Sequence, residues 1–155
     1  MMDNEFRTAR AYELLLNEER LLTASMEDYV EMLYRCFVEG EKTIRLNKLS
    51  ELLNVRDSSA SKMMQKLGVI GLIDYEKYGQ IKLTELGMEV GSFLLERHNT
   101  VEKFLSFIRG NKDVFIETEL IEHIISSDTI KYLNKFNAFL KENPDIAERY
   151  GEYIL

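Results

Sequence analysis

Both histidines of this chain stand close to acidic residues, at spacings that make side chains neighbours on a helix. Glu119, Glu122 and His123 occupy positions i, i+3 and i+4 of one segment. His98 and Glu102 are four residues apart in an earlier segment. Solvated helix surfaces often carry such pairs, so each pair alone is weak support for a site. Together they use every histidine of the protein, which favours a shared chemical role.

A further acidic pair, Asp28 and Glu31, is three residues apart near the start of the chain. Four or five carboxylates with two imidazoles form an oxygen-rich and moderately hard ligand set. Such a set suits Mn²⁺ or Fe²⁺ better than Zn²⁺ or Cu⁺, which favour sites rich in thiolates. Clustered carboxylates repel one another when no cation is present. The pattern therefore predicts a metal sensor, whose site closes only around divalent ions.

Three predicted helices carry these residues. The first runs over 25–40, where Ser25 with an acid three residues later resembles a capping box. The second is a long helix over 84–108, and the third covers 113–126. The apolar pattern of the first helix predicts that it turns five side chains inward: Met26, Tyr29, Val30, Leu33 and Phe37.

The composition is that of a folded protein, with 45% hydrophobic and 30% charged residues. The single cysteine, Cys36, cannot form an internal disulfide, which favours a reducing compartment. No apolar run approaches the length of about 18 residues that a membrane helix needs, and the N-terminus lacks an apolar signal core. We therefore expect a cytoplasmic protein that has no membrane partner.

The net charge of −7 is unevenly distributed along the chain. Residues 42–82 contain eight basic and four acidic residues, which gives this block +4 and the remainder of the chain −11. An acidic protein is a weak candidate for binding nucleic acid, but a basic block within it is a better one.

The basic block reads as a winged helix-turn-helix. A short helix over 46–53 is followed by a turn at 54–56 and by a second helix, capped by Asp57 or Ser58, that ends near Leu67. Two strands over 72–76 and 80–83 then form a hairpin. In such a unit the second helix enters the major groove of DNA and the wing touches the backbone.

The residue types of the second helix suit contact with DNA. Lys62 and Lys66 lie on one face and can meet phosphates, and Gln65 can pair with an adenine edge. A surface helix that merely solvates its serines and lysines is the alternative, and the ordered turn, helix and hairpin weaken it. The predicted DNA-contacting residues, including those of the wing, are Arg56, Ser58, Ser59, Ser61, Lys62, Gln65, Lys66, Lys77 and Tyr78.

We predict a mostly α-helical protein with three parts. Residues 1–22 are an N-terminal extension helix, and residues 23–84 are a winged helix-turn-helix with a two-stranded wing. Residues 85–155 are an all-helical metal-binding and dimerisation domain. Its last two helices are predicted over 128–141 and from the Asn143-Pro144 pair onward.

Several stretches, in order, resemble the diphtheria toxin repressor family, and most closely its manganese transport regulator branch. The resemblance covers roughly residues 23–143. The stretches are 25–31, 58–67, 75–78, 83–84, 97–98 and 121–123.

This resemblance implies a metal-activated homodimeric repressor of metal-uptake genes that binds palindromic operator DNA. It implies a two-ion manganese site in each subunit. The iron-responsive branch carries methionine at position 28 and cysteine at position 119, where this chain has carboxylates, so Mn²⁺ is favoured over Fe²⁺. The implied ligands are Asp28, Glu31, His98, Glu119, Glu122 and His123, with Glu102 as a contributor.

Three alternatives to this function stay open at the level of sequence. The first is an Fe²⁺-responsive repressor of the same family, and the second is a di-metal carboxylate enzyme or storage bundle. The third is a dimerisation module without metal. The enzyme is disfavoured because it leaves the basic block unexplained, and neither a catalytic site nor a small-molecule substrate is expected. Asp57, which stands where this branch often has proline, and the extra residues 1–22 depart from the family pattern.

Overall fold

The structure is a computed structural model that describes residue 12, residues 22–75 and residues 79–155. The chain divides into two compact units, Met1–Leu95 and Glu96–Leu155. In chain order, the described elements are α1 (Ala24–Val38), β1 (Ile44–Arg45), α2 (Leu46–Leu52), α3 (Asp57–Val69), β2 (Ile73–Tyr75), β3 (Gln80–Leu83), α4 (Glu85–Ile108), α5 (Phe115–Ile121), a 3-10 turn (Glu122–Ile124), α6 (Ser127–Glu142) and α7 (Pro144–Tyr153).

The first unit contains the predicted helix-turn-helix and hairpin, with one additional strand. The sheet is antiparallel in the order β1-β3-β2, with Ile44 opposite Ile81 and Ile73 opposite Leu83. These four side chains are buried, because alternate residues of a strand face the same side. The sequence indicated only two strands, since a strand of two residues is too short to show alternation.

The start of α1 differs from the prediction. The N-cap is Thr23, whose hydroxyl accepts from the backbone N–H of Met26 at 3.3 Å, and Ser25 lies within the first turn. The helix turns its apolar face inward as expected, except that Phe37 is exposed and Cys36 is buried instead. Burial raises the pKa of the Cys36 thiol, so this residue packs as a protonated, apolar side chain.

The turn between α2 and α3 is formed by Asn54, which adopts a positive φ of 53°. The residue before α3 is Arg56, and its side chain makes no capping hydrogen bond, so the predicted cap at Asp57 or Ser58 is wrong. The Asp57 carboxylate instead accepts a hydrogen bond from the hydroxyl of Ser50 on α2. This contact ties the start of α3 to the preceding helix.

Helix α4 lies close to α1 in the first unit because Gly91 has no side chain. A Cβ atom at this position would lie 2.6 Å from the Cβ of Tyr34. Such a distance is too short for two carbon atoms, so a larger residue would push the helices apart. The fully buried Val90 and Leu94 of α4 complete this part of the core.

The predicted N-terminal extension helix over residues 1–22 lies outside the described residues apart from Tyr12 and Leu22, which are both buried. The Tyr12 hydroxyl donates to Oε1 of the buried Glu27 at 2.6 Å. Its ring lies 4.6 Å from the ring of Phe93 on α4, measured between centroids. Tyr12 therefore belongs to the core of the first unit.

Tyr12→Phe should lower the free energy of unfolding by about 1–3 kcal/mol, because Glu27 loses a buried hydrogen bond while the ring is kept. Urea denaturation followed by circular dichroism measures this change. Tyr132→Phe is the matched control, since Tyr132 is 62% exposed and should leave stability unchanged. Equal stability of both variants would contradict the structural role of Tyr12.

The second unit packs around a small core of Val101, Leu105, Val114 and Ile130. A polar network joins α4 to α6, in which Asn134 accepts from the Thr100 hydroxyl at 2.7 Å and donates to Glu96 at 2.8 Å. The third predicted segment, over 113–126, is shorter than expected. It comprises α5, which ends at Ile121, and the 3-10 turn that follows.

Candidate metal centre and nucleic-acid interface

His98 is the centre of a polar cluster in the second unit. Its Nδ1 atom lies 2.9 Å from Oε2 of Glu122 and 3.2 Å from Oε1 of Glu119. Its Nε2 atom lies 3.9 Å from Oε2 of Glu102. His98 and Glu122 are almost completely buried, whereas the side chains of Glu102 and Glu119 are about two-fifths exposed.

Two segments bring this cluster together. Helix α4 presents His98 and Glu102 one turn apart, and the segment of α5 and its 3-10 turn presents Glu119 and Glu122. The segment predicted as one helix carrying Glu119, Glu122 and His123 consists of two helical forms. The α-helix gives way to a 3-10 turn at Glu122, and Nε2 of His123 lies 3.8 Å from Oε1 of Glu122.

One oxygen of Glu122 makes the cluster suitable for a cation. Among the described residues, its Oε1 atom is buried and has no hydrogen-bond partner, although Oε2 contacts His98. Leaving a buried carboxylate oxygen without a partner is costly. A divalent ion would satisfy this oxygen, and carboxylates with an imidazole are donors that Mn²⁺ and Fe²⁺ accept. The residues present therefore fit a metal.

His123 contacts an arginine. Nη2 of Arg97 lies 3.2 Å from Nδ1 of His123, and Arg97 is fully buried. On the other side of the ring, Nε2 lies 3.8 Å from Oε1 of Glu122. Sequence reasoning assigned no role to Arg97. The signal that was available is its position directly beside His98.

The predicted ligands Asp28 and Glu31 lie on α1 in the first unit. Asp28 is half-buried and Glu31 is buried. Arg35, one turn further along the helix, donates to Oε1 of Glu31 from Nη2 at 2.6 Å and from Nε at 3.0 Å. Burial, with a smaller contribution from the charge of Asp28, raises the pKa of the neighbouring Tyr29. The contact of Arg35 was not foreseen, although the spacing of four residues indicates it.

Helix α3 has one apolar face and one polar face. Ala60, Met64 and Leu67 are fully buried. The predicted DNA-contacting residues of the opposite face are exposed, except that Ser61 is half-buried with its hydroxyl 3.4 Å from that of Tyr75 on β2. The exposed residues are Arg56, Ser58, Ser59, Lys62, Gln65 and Lys66.

The wing residues named as DNA contacts, Lys77 and Tyr78, lie outside the described residues, so their role stays a prediction. The strands on either side of them, β2 and β3, pair as a hairpin. Within the part of the chain that the structure describes, no helix has the length and apolar character needed to cross a membrane.

Two family descriptions match consecutive parts of this chain. Residues 21–81 match "Iron dependent repressor, N-terminal DNA binding domain". Residues 84–151 match "Iron dependent repressor, metal binding and dimerisation domain". The first match contains α3, β2 and the first half of β3, and the second contains the cluster around His98.

Similar proteins include a curated relative and two solved structures. The "HTH-type transcriptional regulator MntR" of Lysinibacillus sphaericus (strain C3-41) is 35% identical over 128 residues, which cover 82% of this chain and 91% of that protein. The manganese regulator SloR has a TM-score of 0.62 and 29% identity, over 74% of this chain. ScaR with bound Zn²⁺ has a TM-score of 0.60 and 28% identity, over 72% of this chain. The matched regions cover 54% of the solved SloR chain and 52% of the solved ScaR chain.

Proposed function

The chain belongs to the iron-dependent repressor family and is a metal-dependent transcriptional regulator, and on this premise we propose that Mn²⁺ activates it to repress genes of metal uptake. The family consists of transcriptional regulators, so the prediction that the chain is not an enzyme is confirmed. The alternative of a di-metal enzyme or storage bundle is therefore set aside.

The observation that carries the proposal is the buried pair of His98 and Glu122, which leaves one carboxylate oxygen without a hydrogen-bond partner among the described residues. We propose that each subunit binds two ions. Bound Mn²⁺ would supply the positive charge that lets several carboxylates lie together. The residues that would hold it are Asp28, Glu31, His98, Glu119, Glu122 and His123, with Glu102 contributing.

The choice of Mn²⁺ over Fe²⁺ rests on the ligand types and on the relatives. Positions 28 and 119 carry carboxylates, which are hard ligands that suit Mn²⁺. A soft sulfur ligand at either position would favour a softer metal. MntR and SloR are described as a transcriptional regulator and a manganese regulator, respectively. The family descriptions name iron, so an Fe²⁺-responsive repressor is the second candidate.

DNA binding belongs to the first unit, where α3 exposes Lys62, Gln65 and Lys66 on one polar face. We propose that this face enters the major groove, that Lys77 and Tyr78 of the wing meet the backbone, and that the operator is a palindrome. The proposed organisation follows the predicted one, with an extension over 1–22, a DNA-binding domain over 23–84 and a dimerisation domain over 85–155. The proposed location is the cytoplasm, where the operator lies.

The proposed ligands come from both predicted domains, since Asp28 and Glu31 lie within residues 23–84 and the other five within residues 85–155. Residues that bind the same ions restrict one another's motion. A DNA-binding unit that is already restricted loses less entropy when it binds the operator. We expect a coupling free energy of about 1–3 kcal/mol, and by reciprocity the operator should tighten metal binding by the same factor.

A DNA-binding assay against a panel of divalent metals tests the proposal. Palindromic duplexes would be selected from a random pool in the presence of Mn²⁺, and their affinity measured by fluorescence anisotropy with Mn²⁺, Fe²⁺ (anaerobically), Zn²⁺ or Mg²⁺. We expect Mn²⁺ to tighten binding most. Preference for Fe²⁺ would support the second candidate, and equal affinity with and without metals would refute metal activation.

The family is dimeric in its second domain, and the second unit exposes apolar residues that suit this role. Ile116, Leu120 and Ile124 are spaced by four residues and are 73–83% exposed. Such a stripe on a soluble protein marks an interaction surface. We propose that it pairs with its copy in the homodimer.

Leu120→Glu should raise the dimer dissociation constant by about tenfold or more, because a charge would be placed at a central apolar contact. Sedimentation equilibrium measures the change. Val69→Glu is the matched control, since Val69 is equally apolar and is 87% exposed in the first unit. Unchanged dimerisation of the Leu120 variant would place the interface on another surface.

A further inference from the structure

Helix α3 begins with an acidic residue, although the helix belongs to a DNA-binding domain. Asp57 is the first residue of α3 and is exposed. In helix-turn-helix proteins the N-terminal residues of the second helix contact base edges in the major groove. DNA is densely negative, so a carboxylate at this place weakens binding unless it finds a hydrogen-bond donor there. A donor on a base would offset this unfavourable charge.

The carboxylate of Asp57 is oriented by the preceding helix. Oδ1 of Asp57 accepts a hydrogen bond from the hydroxyl of Ser50 on α2. Ser50 is 2% exposed, and its Oγ atom also lies 2.9 Å from the carbonyl oxygen of Asn47, so the hydroxyl is held within the protein. The contact uses only Oδ1, and Oδ2 can accept from a second donor. The carboxylate therefore has a fixed orientation before DNA arrives, which lowers the entropy lost on binding.

A carboxylate oxygen discriminates among the base edges of the major groove. It accepts from an amine and is repelled by oxygen and nitrogen acceptors. Cytosine presents an amine, whereas guanine presents two acceptors and thymine presents an acceptor and a methyl group. Adenine presents an amine beside an acceptor nitrogen. A carboxylate that offers one oxygen therefore fits cytosine best.

We propose that Asp57 is a specificity-determining residue that accepts from the amine of one cytosine in each half of the operator, and that Ser50 is its positioning residue. The inference rests on the proposed entry of α3 into the major groove. Repulsion between Asp57 and the phosphates lowers the affinity for all DNA, and the cytosine amine compensates at one base pair only. Specificity is a difference of affinities, and this arrangement increases it by weakening binding to the other bases.

Asp57→Asn separates base recognition from repulsion. The amide keeps the size of the side chain, and its oxygen can still accept from Ser50, but the charge is lost and a donor is gained. Wild type and variant would each select duplexes from a random pool in the presence of Mn²⁺. At one position of each half-site the wild type should select cytosine and the variant adenine, because an amide pairs with the adenine edge. The affinity of the variant for random DNA should rise.

A thermodynamic cycle between protein and DNA measures the contact itself. The affinities of wild type and Asp57→Asn are compared for the selected duplex and for a duplex in which the C·G pair at that position is replaced by T·A. The exchange should weaken binding of the wild type by about fivefold or more, as loss of a specific base contact does. It should weaken binding of the variant by less than about twofold, because the contact is already absent.

Two further variants separate the contact from the charge and from the anchor. Asp74→Asn is the matched control, because Asp74 is an exposed aspartate of β2 in the same unit. It removes the same charge and should keep the preference for cytosine. Ser50→Ala keeps the carboxylate and removes its anchor, so discrimination against the T·A duplex should fall. Circular dichroism melting checks that each variant is folded.

The wild type alone offers a test that requires no variant to fold. The cytosines of the selected duplex are replaced one at a time by 2-pyrimidinone, a base analogue without the amine. Binding should weaken by about fivefold or more at one position of each half-site. Absence of any such loss, or a selected duplex without a fixed cytosine, would overturn the proposal.

The outcomes distinguish this inference from the proposed function. The same base preference in wild type and Asp57→Asn would reduce the role of Asp57 to its charge and overturn the proposal. Undiminished discrimination by Ser50→Ala would overturn the positioning role of Ser50. If removal of Lys62 and Lys66 weakens DNA binding while Asp57→Asn changes no preference, α3 stays in the groove and only this inference fails. If both sets of variants bind like the wild type, the proposed DNA interface fails as well.

Discussion

Glu122→Gln should raise the Mn²⁺ concentration needed for DNA binding by about a hundredfold or more. Loss of a ligand should cost at least as much as the roughly 10–100-fold loss of affinity seen when a residue that supports a ligand is replaced. The substitution keeps the size of the side chain and removes its charge. Glu122 has one oxygen on His98 and a second, buried oxygen without a hydrogen-bond partner among the described residues. A neutral amide in this place would be a much weaker metal ligand than a carboxylate.

The measurement is an anisotropy titration of the selected duplex at a series of Mn²⁺ concentrations, with a parallel calorimetric titration of Mn²⁺ alone. Circular dichroism melting checks that the variant is folded. Glu117→Gln is the matched control, because Glu117 lies on α5, just before the 3-10 turn that contains Glu122, and its side chain pairs with Arg109 at the surface. If Glu122→Gln responds to Mn²⁺ like the wild type, Glu122 is not a ligand.

The double variant Lys62→Ala/Lys66→Ala should weaken DNA binding at physiological salt by about a hundredfold or more on every sequence tested. The two exposed lysines are one turn apart on α3, so each subunit would lose two phosphate contacts. A homodimer loses four, and the slope of log affinity against log salt should fall by about 3–4. The preference for the selected duplex over random DNA should change little, because phosphate contacts carry no sequence information.

Affinity is measured at several salt concentrations, at saturating Mn²⁺, for the selected duplex and for random DNA. Lys141→Ala is the control, since Lys141 is an exposed lysine of α6 in the second unit. Gln65→Ala gives the opposite pattern, with a preserved salt slope and a reduced preference for the selected duplex. An unchanged salt slope in the double variant would remove α3 from the DNA interface.

Element types were predictable where the periodicity extends over several turns. The long helix after Thr84 was predicted to reach Ile108, and α4 ends there. The start of this helix was also predictable, because threonine is a good N-cap residue. In the structure the Thr84 hydroxyl accepts a hydrogen bond from the backbone N–H of Gly87 at 3.0 Å. Helix starts were less certain elsewhere. Thr23 and Ser25 are both good caps, and only the backbone conformation of the folded chain selects between them.

The site was predictable in its residue types and less so in its contacts. His98, Glu102, Glu119 and Glu122 were singled out by their spacing, and the structure brings them together in the second unit. The same reasoning placed His123 with them. Residue spacing could not predict the 3-10 turn at Glu122, because a single tightened turn has no distinct pattern of residue types in the sequence.

The sequence by itself determined the kind of protein: the inventory of hard ligands, the basic block within an acidic chain and the order of helices and hairpin. Composition and spacing carry this information because charge, ligand chemistry and periodicity are properties of the residues themselves. Only the tertiary structure decided that Arg97 is buried against His123 and that one oxygen of Glu122 has no described hydrogen-bond partner. Burial and pairing depend on which side chains meet after folding, and at i and i+26 no local pattern encodes that meeting.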